Sequence, residues 1–556
     1  MRHLSSGWRT IDLHTKGTDG RQSVTVTYAV VDLFAGPGGL AEGFASVKQG
    51  DHHPFKIVLS VEKDASAYQT LLLRSFLRQF ERYPEEYYRF LNGKCEEPDW
   101  RAIYPRQWAR ATEEALHLEL GNEDQASIID KRLDEIREIY KDRIVVIGGP
   151  PCQAYSLAGR VRNKGIKGYD PSSDQRHFLY QEYIRILRKL KPVAFVMENV
   201  KGLLSSSVDG KLMVDKVLED LRSTGRGDHR YKLLPFSPRS GKMKKVADKG
   251  HPKSSDYIIR AEDFGIPQAR HRLILAGVRK DHAEKLTDDE LAAALPKRIK
   301  KQVPVRAVLL GMPRLRSGLS QDDTTTAWKR EVRAAISQVA KVFVNLPDKK
   351  RARFDADMKQ HVKLAKGSRL PKSRTKAIPV GIGRTCPPKL KSWLVDSRIK
   401  QLPNSDTRSH MKSDLARYFF TSAFGESTGE SPKANDFPAA LAPKHENWDS
   451  GHFSDRFRVQ LWDEPSTTVT SHISKDGHYF VHPDPLQCRS LTVREAARLQ
   501  TFPDNYFFKG NRTQQYVQVG NAVPPFLAQM IGQTVFRLLG HSLEKKRKSR
   551  ARLSLI

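Results

Sequence analysis

Cysteine is scarce: the 556 residues hold four, at positions 95, 152, 386 and 488, and none of them forms a CxxC pair or a Cys/His ligand cluster. That excludes a disulfide framework and gives no structural zinc site, so Cys95, Cys386 and Cys488 read as small buried apolar residues. Long apolar runs are missing too. No stretch approaches the ~20 residues needed to cross a bilayer, and residues 1–20 lack the apolar core of a signal peptide, which predicts a soluble intracellular protein with no place in a membrane. The third shortage is acid: 63 Asp and Glu face 95 Lys and Arg, leaving a net charge of +32 spread over many segments. Such a chain favours a polyanion, nucleic acid before an anionic membrane surface. The dinucleotide signature GxGxxG is absent as well, and nothing else suggests hydride transfer. The length alone suggests two or more folding units.

What is present is a series of apolar strands, each ending in an unusual loop. Residues 24–34 (VTVTYAVVDLF) are β-branched without clean alternation, the pattern of a strand buried on both faces of a parallel sheet. A glycine-rich turn follows, then a plausible helix over 40–47 and a second buried strand over 55–61 that closes on Glu62: a strand, tight loop, helix, strand unit. Three more strands are predicted at 144–147, 193–197 and 273–278. Residues 74–143 are charged and helix-prone, with IIDKRLDEIREIY placing apolar residues at helical spacing, and read as an inserted helical element. Between 281 and 455 basic runs such as KRIKK and KKRAR, recurrent Pro and Ser, and weak apolar periodicity predict a separate domain. Apolar order returns at Phe457, with helices predicted over 493–500 and 526–539, and the closing EKKRKSRAR reads as a disordered basic tail.

The loops carry the chemistry. In DLFAGPGGL (32–40), Ala35, Gly36, Gly38 and Gly39 let the backbone come close to a ligand at a helix N-terminus, where anionic groups are favoured; Asp32, Phe34 and Leu40 complete this candidate cofactor loop. Glu62 at the end of the second strand is placed to accept hydrogen bonds from a ribose diol, and Lys63 to cover an adenine. GGPPCQAYS (148–156) sets Cys152 in a rigid loop rich in proline and glycine, a placement that suits a nucleophile. A thiol needs a cationic neighbour to act as thiolate at neutral pH, and Arg270 and Arg272 are the candidates. FVMENVKGL (195–203) puts Glu198 just beyond a strand, while in PQARHRLILAGVR (267–279) Gln268, Arg270 and Arg272 alternate, which places them on one strand face.

These loops, with LTVREAARLQTFPD (491–504) and QVGNAVPP (518–525), resemble in kind and order the motifs of the cytosine-C5 DNA methyltransferases, over about 28–65, 144–205, 262–280 and 457–540. The resemblance implies an α/β fold: a Rossmann-like S-adenosylmethionine methyltransferase sheet with helices on both faces, plus a smaller basic target-recognition domain. The catalytic domain would span 24–280, the target-recognition domain 281–455, the return of the catalytic domain 456–540 and the tail 541–556. Cys152 would attack C6 of a flipped-out cytosine, because C5 is a poor nucleophile until that addition makes the ring an enamine. Glu198 would relieve the charge built in the ring by donating a proton at N3. Arg272 would meet the base carbonyl oxygen, and Arg270 would support the site or a phosphate. The implied cofactor is S-adenosylmethionine, touched also by Pro150, Asn521 and Ala522, with no metal. Residues 491–504 would organise the recognition domain.

Two departures bear on the reading. The third strand of such a sheet, with its adenine-contacting acidic residue, should fall within 74–143, where no residue is assigned. Cys152 is followed by AYSLAGRVRNKG and not by the CFTKGYG of related tRNA methyltransferases, which sets an RNA cytosine-C5 methyltransferase second. Intact Cys152, Glu198 and Arg272 argue against a DNA-binding homologue that lost catalysis. The expected partners are double-stranded DNA, held on its phosphates by the Lys and Arg of 281–455 and read by a few base contacts, and a cognate restriction endonuclease. A monomer is expected. The short lead before Asp32 leaves no room for chromatin-reading domains, which points to a bacterial or phage modification enzyme of the cytoplasm, at the nucleoid.

Overall fold

The first apolar run folds as strand β1 (Tyr28–Leu33), every residue of it buried. The computed structural model describes residues 14–16, 22–24, 26–151, 179–208, 211–224, 227, 230–236, 252–367, 369–375, 378–379, 381–443, 448 and 456–553. The run expected as one strand over 24–34 is therefore shorter; Gln22–Val24 pairs instead with His14–Lys16 in a separate antiparallel ribbon. Seven further strands join β1 in one sheet: β2 (Phe55–Glu62), β3 (Ala115–His117), β4 (Ile144–Gly148), β5 (Ala194–Val200), β6 (Tyr231–Leu234), β7 (Ile258–Arg260) and β8 (His271–Arg279). Their order is β6-β8-β5-β4-β1-β2-β3, with β7 also paired to β8. β3, β2, β1, β4 and β5 run parallel, while β8 is antiparallel to β5, β6 and β7.

The register aligns the chemical loops. Leu33 pairs with Gly148 on one side and Val61 on the other, and Gly148 pairs with Met197. The loops after β1, β2, β4 and β5 thus leave the same carboxyl edge side by side, where open α/β sheets bind their ligands.

Both faces are covered, which explains the near-continuous apolar strands. Ala29 and Val31 of β1 point to one face, packed against α3 (Glu123–Tyr140), α4 (Leu179–Leu190) and α5 (Met213–Arg222); Val30 points to the other, packed against α1 (Gly39–Ala45), α2 (Ala65–Leu77) and the C-terminal helix. In α3 the buried residues Ile129, Leu133, Ile136 and Tyr140 fall at the helical spacing the sequence predicts, and Asn122 caps its N-terminus by accepting from the Asp124 amide at 3.0 Å.

Three expectations are revised. The stretch 74–143 is not only an insertion of helices: it supplies β3, the third parallel strand, whose three residues are too few to show a periodicity. The region 281–455 forms its own core around α6 (Thr325–Val339), α7 (Asp348–Lys366) and α8 (Lys412–Thr428), with Trp328, Phe354 and Phe420 at its centre. Its margins, however, pack elsewhere: Val305, Leu309, Leu390 and Leu394 join the core of the sheet, and Phe457, Val481 and Cys488 join the second core. Finally, the helix α11 (Pro525–Leu553) runs through the segment expected as a disordered tail. Leu527, Ile531, Val535 and Leu538 bury one stripe of it, and the Lys, Arg, Glu and Ala that follow are strong helix formers, so the helix is anchored and then propagates. Among the described residues no helix is long and apolar enough to cross a membrane.

Candidate active site

The loop after β1 is shaped by left-handed backbone, which glycine adopts freely and phenylalanine only under strain. Phe34 (φ 56°), Gly36 (φ 56°) and Gly38 (φ 94°) turn the chain sharply, and Gly38 caps α1. The loop is tied to β2: the Ala35 amide donates to Val61 O at 3.0 Å and the Gly36 amide to Glu62 Oε2 at 2.7 Å. Glu62 Oε1 accepts from the Asp64 amide at 2.8 Å, so one carboxylate spans both loops; burial pushes its carboxyl up, against the pull of those amides.

The C-terminal segment closes over this loop. α10 (Arg512–Asn521) ends at an exposed Asn521 followed by a buried Ala522, and a Cβ built on Gly39 would lie 2.4 Å from Val523 O. Only glycine permits that approach. On the helix behind it, a Cβ on Gly43 would lie 2.4 Å from the Cβ of Ala528 in α11, and the Tyr506 hydroxyl donates to Pro37 O.

Two observations fit this cradle to S-adenosylmethionine. A Cβ on Gly36 would meet nothing within 4 Å, so the loop faces open space, and Leu40 is buried just behind it. Asp32 is fully buried, and neither carboxylate oxygen has a hydrogen-bond partner of good geometry among the described residues; burial pushes its carboxyl up to about 8 despite the Arg78 guanidinium. An orphaned carboxyl beside an open glycine turn suits a ligand that brings its own ammonium and hydroxyl donors. Lys63 lies on the surface beyond β2, its Nζ 2.9 Å from Glu119 Oε1, while the carbonyl of Lys63 contacts His117 Nε2 at 3.0 Å. Glu119 stands two residues past β3, an acidic side chain at the end of the third strand that the sequence does not single out, because so short a strand leaves no pattern to count from.

At the next pair of loops, β5 and β8 lie side by side with Val200 opposite Arg272 and Glu198 opposite Ile274. This register sets Arg272 Nε 2.9 Å from Glu198 Oε1, with both side chains largely but not wholly covered. Arg272 Nη1 also donates to His271 O at 2.9 Å. A Cβ on Gly149 would lie 3.1 Å from Glu198 Oε2, so the pair sits directly over the start of the cysteine loop. Asn199 braces that loop: its Nδ2 donates to Pro150 O at 3.4 Å, and its Oδ1 accepts from the Val200 amide at 2.8 Å. Cys152, the expected nucleophile, lies outside the described residues.

Gln268 and Arg270 do not lie on one strand face with Arg272 as alternation predicts, because the strand begins only at His271. Both are buried. Gln268 accepts from the Val469 amide at 2.8 Å and donates to Gln500 Oε1 at 3.0 Å; Arg270 Nη1 donates to Val469 O at 2.8 Å and to Gly520 O at 3.2 Å. Arg270 is 2% exposed and its guanidinium is turned to these carbonyls. Burial, with Arg272 nearby, also holds its guanidinium well below the usual range.

Comparison with known proteins agrees with this arrangement. A model of the C-5 cytosine-specific DNA methylases matches residues 108–537. Type II methyltransferase M.Bpa9945I of Bacillus paralicheniformis is 32% identical over 530 residues, covering 91% of this chain and 98% of that protein. Type II methyltransferase M1.HphI of Haemophilus parahaemolyticus is 25% identical over 93% of this chain and 88% of its own length, and M.AgeI of Thalassovita gelatinovora is 27% identical over 70% and 82%. With a glycine cradle at the carboxyl edge of its parallel strands, a Glu–Arg pair seated against Gly149 and similarity over most of its length, the chain is a member of the C-5 cytosine-specific DNA methylase family, a DNA (cytosine-5-)-methyltransferase that uses S-adenosylmethionine.

Proposed function

We infer that Cys152 is the nucleophile and that Glu198, Arg272 and Arg270 serve it in distinct ways. The observation that carries this reading is the Glu198–Arg272 pair, 2.9 Å apart and seated against Gly149 at the start of the cysteine loop. The Cys152 thiolate adds to C6 of a flipped-out cytosine, forming the S–C6 bond and placing charge in the ring. Glu198 donates its proton at N3 to relieve that charge, and Arg272 holds both the Glu198 carboxyl and the base carbonyl oxygen. Bound S-adenosylmethionine supplies an electrophilic methyl group to C5. Loss of the C5 proton to solvent then lets the S–C6 bond break and returns Cys152. Arg270 and Gln268 are positioning residues, stapling the C-terminal segment beneath the site.

The cofactor is assigned to Asp32, Phe34, Ala35, Gly36, Gly38, Gly39 and Leu40 of the turn, to Glu62 for the ribose hydroxyls, and to Pro150, Asn521 and Ala522 as flanking contacts. Lys63 and Glu119, joined at the end of β3, are assigned to the adenine end. Because the similar proteins named above are Type II methyltransferases, we assign this chain the modification half of a restriction-modification pair, acting as a monomer on duplex DNA at the bacterial nucleoid and matched by a cognate endonuclease.

Incubation with labelled S-adenosylmethionine and either duplex DNA or tRNA tests the reading, with Cys152→Ala as control. Label in DNA that disappears in the variant is expected. Label that persists in Cys152→Ala, or an active enzyme that forms no covalent adduct with a 5-fluorocytosine duplex, would overturn the role of Cys152.

A further inference from the structure

The sheet has a second edge. The amino ends of its strands, one strand length from the glycine turn, are roughly 25 Å away for the eight residues of β2 at ~3.3 Å each. There the structure holds an open groove of about 1710 Å³. Four separate parts of the chain wall it: the start of β2 with the end of α1, the turn after α2, the crossing into the second core at 295–297, and the segment 389–398 facing α11.

Its charge is one-sided. Lys48, Lys56, Arg82, Lys297, Lys389 and Arg537 line it, all exposed, against two exposed acids, Asp51 and Glu81. Lys48, Arg82, Lys297, Lys389 and Arg537 form no ion pair among the described residues. The other acids on the wall are already matched inside the protein: Glu42 by Arg74 at 2.5 Å and Glu114 by Arg78 at 2.5 Å. Like charges brought together from four segments repel one another, and nothing in the fold of the sheet requires them there.

We propose that this groove holds the sugar-phosphate backbone of a second stretch of DNA, apart from the duplex being methylated. Point charges on long side chains spread along an open trough suit the evenly spaced charge of a nucleic-acid backbone. The occupant is at hand, because a long substrate presents its own distant segments at high effective concentration. A protein so built keeps hold of one segment while it releases another.

The test uses the full chain, saturated with an unlabelled duplex that it methylates, and a short fluorescent duplex containing no cytosine as probe. The probe should still bind at low salt, one per protein. In Lys48→Glu/Arg82→Glu, two groove residues outside 281–455, its affinity should fall about tenfold or more and the slope of affinity against salt by about two, while kcat on a short target duplex is unchanged. Should the reversal variant fold poorly, Lys48→Gln/Arg82→Gln must show a smaller loss in the same direction. The proposal is overturned if saturating target duplex displaces the probe, if either folded variant binds it as the wild type does, or if an acidic polyglutamate chain occupies the groove while DNA does not. Unchanged methylation of the short duplex separates each of these results from a failure of the active-site reading.

Discussion

Two regions of the molecule build an arginine–carboxylate pair and use it differently. Over the cysteine loop, Glu198 and Arg272 meet through a single 2.9 Å approach, and each keeps part of its surface open. Behind the sheet, around the helix α9 (Val493–Leu499), Arg489 grips Glu495 with two contacts of 2.6 Å, and Arg498 grips Asp504 with two of 2.8 Å, all nearly inaccessible to solvent. Further donors of the second region reach carbonyls of distant segments: Arg489 to Leu315 O, Arg494 to Pro403 O and Arg498 to Val308 O. Saturated pairs make a joint between the sheet and the second core. The Glu198–Arg272 pair keeps part of its surface open, as the proposed site acting on a base requires and a joint does not.

The contrast breaks first at Glu198. Glu198→Gln keeps the shape and loses the proton, so kcat should drop by about 10²–10⁴-fold, the usual worth of a general acid. Thermal stability should hardly move, because the pair is partly open to water. If activity survives, or if the protein unfolds, Glu198 belongs with the joint instead. Glu495→Ala should behave in the opposite way. It strands the buried Arg489 charge and should cost about 3–5 kcal/mol of stability, with kcat of the surviving folded fraction near normal. Denaturant titration beside single-turnover methylation measures both quantities on each variant.

How far each region is legible in the sequence follows from the same difference. Glu198 and Arg272 stand in short motifs at strand ends, and the pairing of β5 with β8 brings them together; strand, loop and residue type are all local signals. Arg270 looked equivalent to Arg272 by alternation, yet its partners are carbonyls at Val469 and Gly520, some two hundred residues on, and no local pattern reports a backbone acceptor. Glu119 was hidden for a related reason, since β3 is held in place by Ser60 and Val61 of its neighbour and has no periodicity of its own. The second core was visible only as basic composition, because its helices carry their apolar stripes among many lysines and arginines, as the buried Phe354, Met358, His361 and Ala365 of α7 show. The length of α11 was likewise read as disorder from charge alone, although anchoring of its first half decides the rest.

Acid should loosen the joint. His482 lies 3.5 Å from Glu495, and burial, with Arg489 beside it, pulls the His482 imidazole down to about 4. Its folded value lies below its unfolded one, so its contribution to stability is whole above about pH 6.5 and is lost as pH falls toward 4. Burial would raise the Glu495 carboxyl, but Arg489, His482 and the Thr492 amide hold it at about 2, and its contribution is lost only below the ordinary glutamate range. His410 adds to the first loss, since burial and the neighbouring His478, Arg408, Arg489 and Arg512 keep it neutral. The melting temperature should therefore decline between pH 6.5 and 4, and His482→Gln should make that decline shallower. An unchanged slope would mean that the joint is not what acid attacks.

The smallest effect sharpens the comparison from the solvent side. Lys63 and Glu119 form a third pair of the same chemistry, 2.9 Å apart, with side chains about half exposed. Screened by water, such a pair stabilises the fold by only about 0–1 kcal/mol, so Lys63→Ala should leave the melting temperature where it was. Its position beyond β2, next to Glu62, gives it another measure. If the pair borders the adenine end of the cofactor, the variant should raise KM for S-adenosylmethionine a few-fold while kcat stays constant, the signature of binding lost equally from ground state and transition state. A change in stability without a change in KM would put Lys63 with the joint. No change in either would make it a surface charge, and would leave Glu62 as the last residue on that edge with a claim on the cofactor.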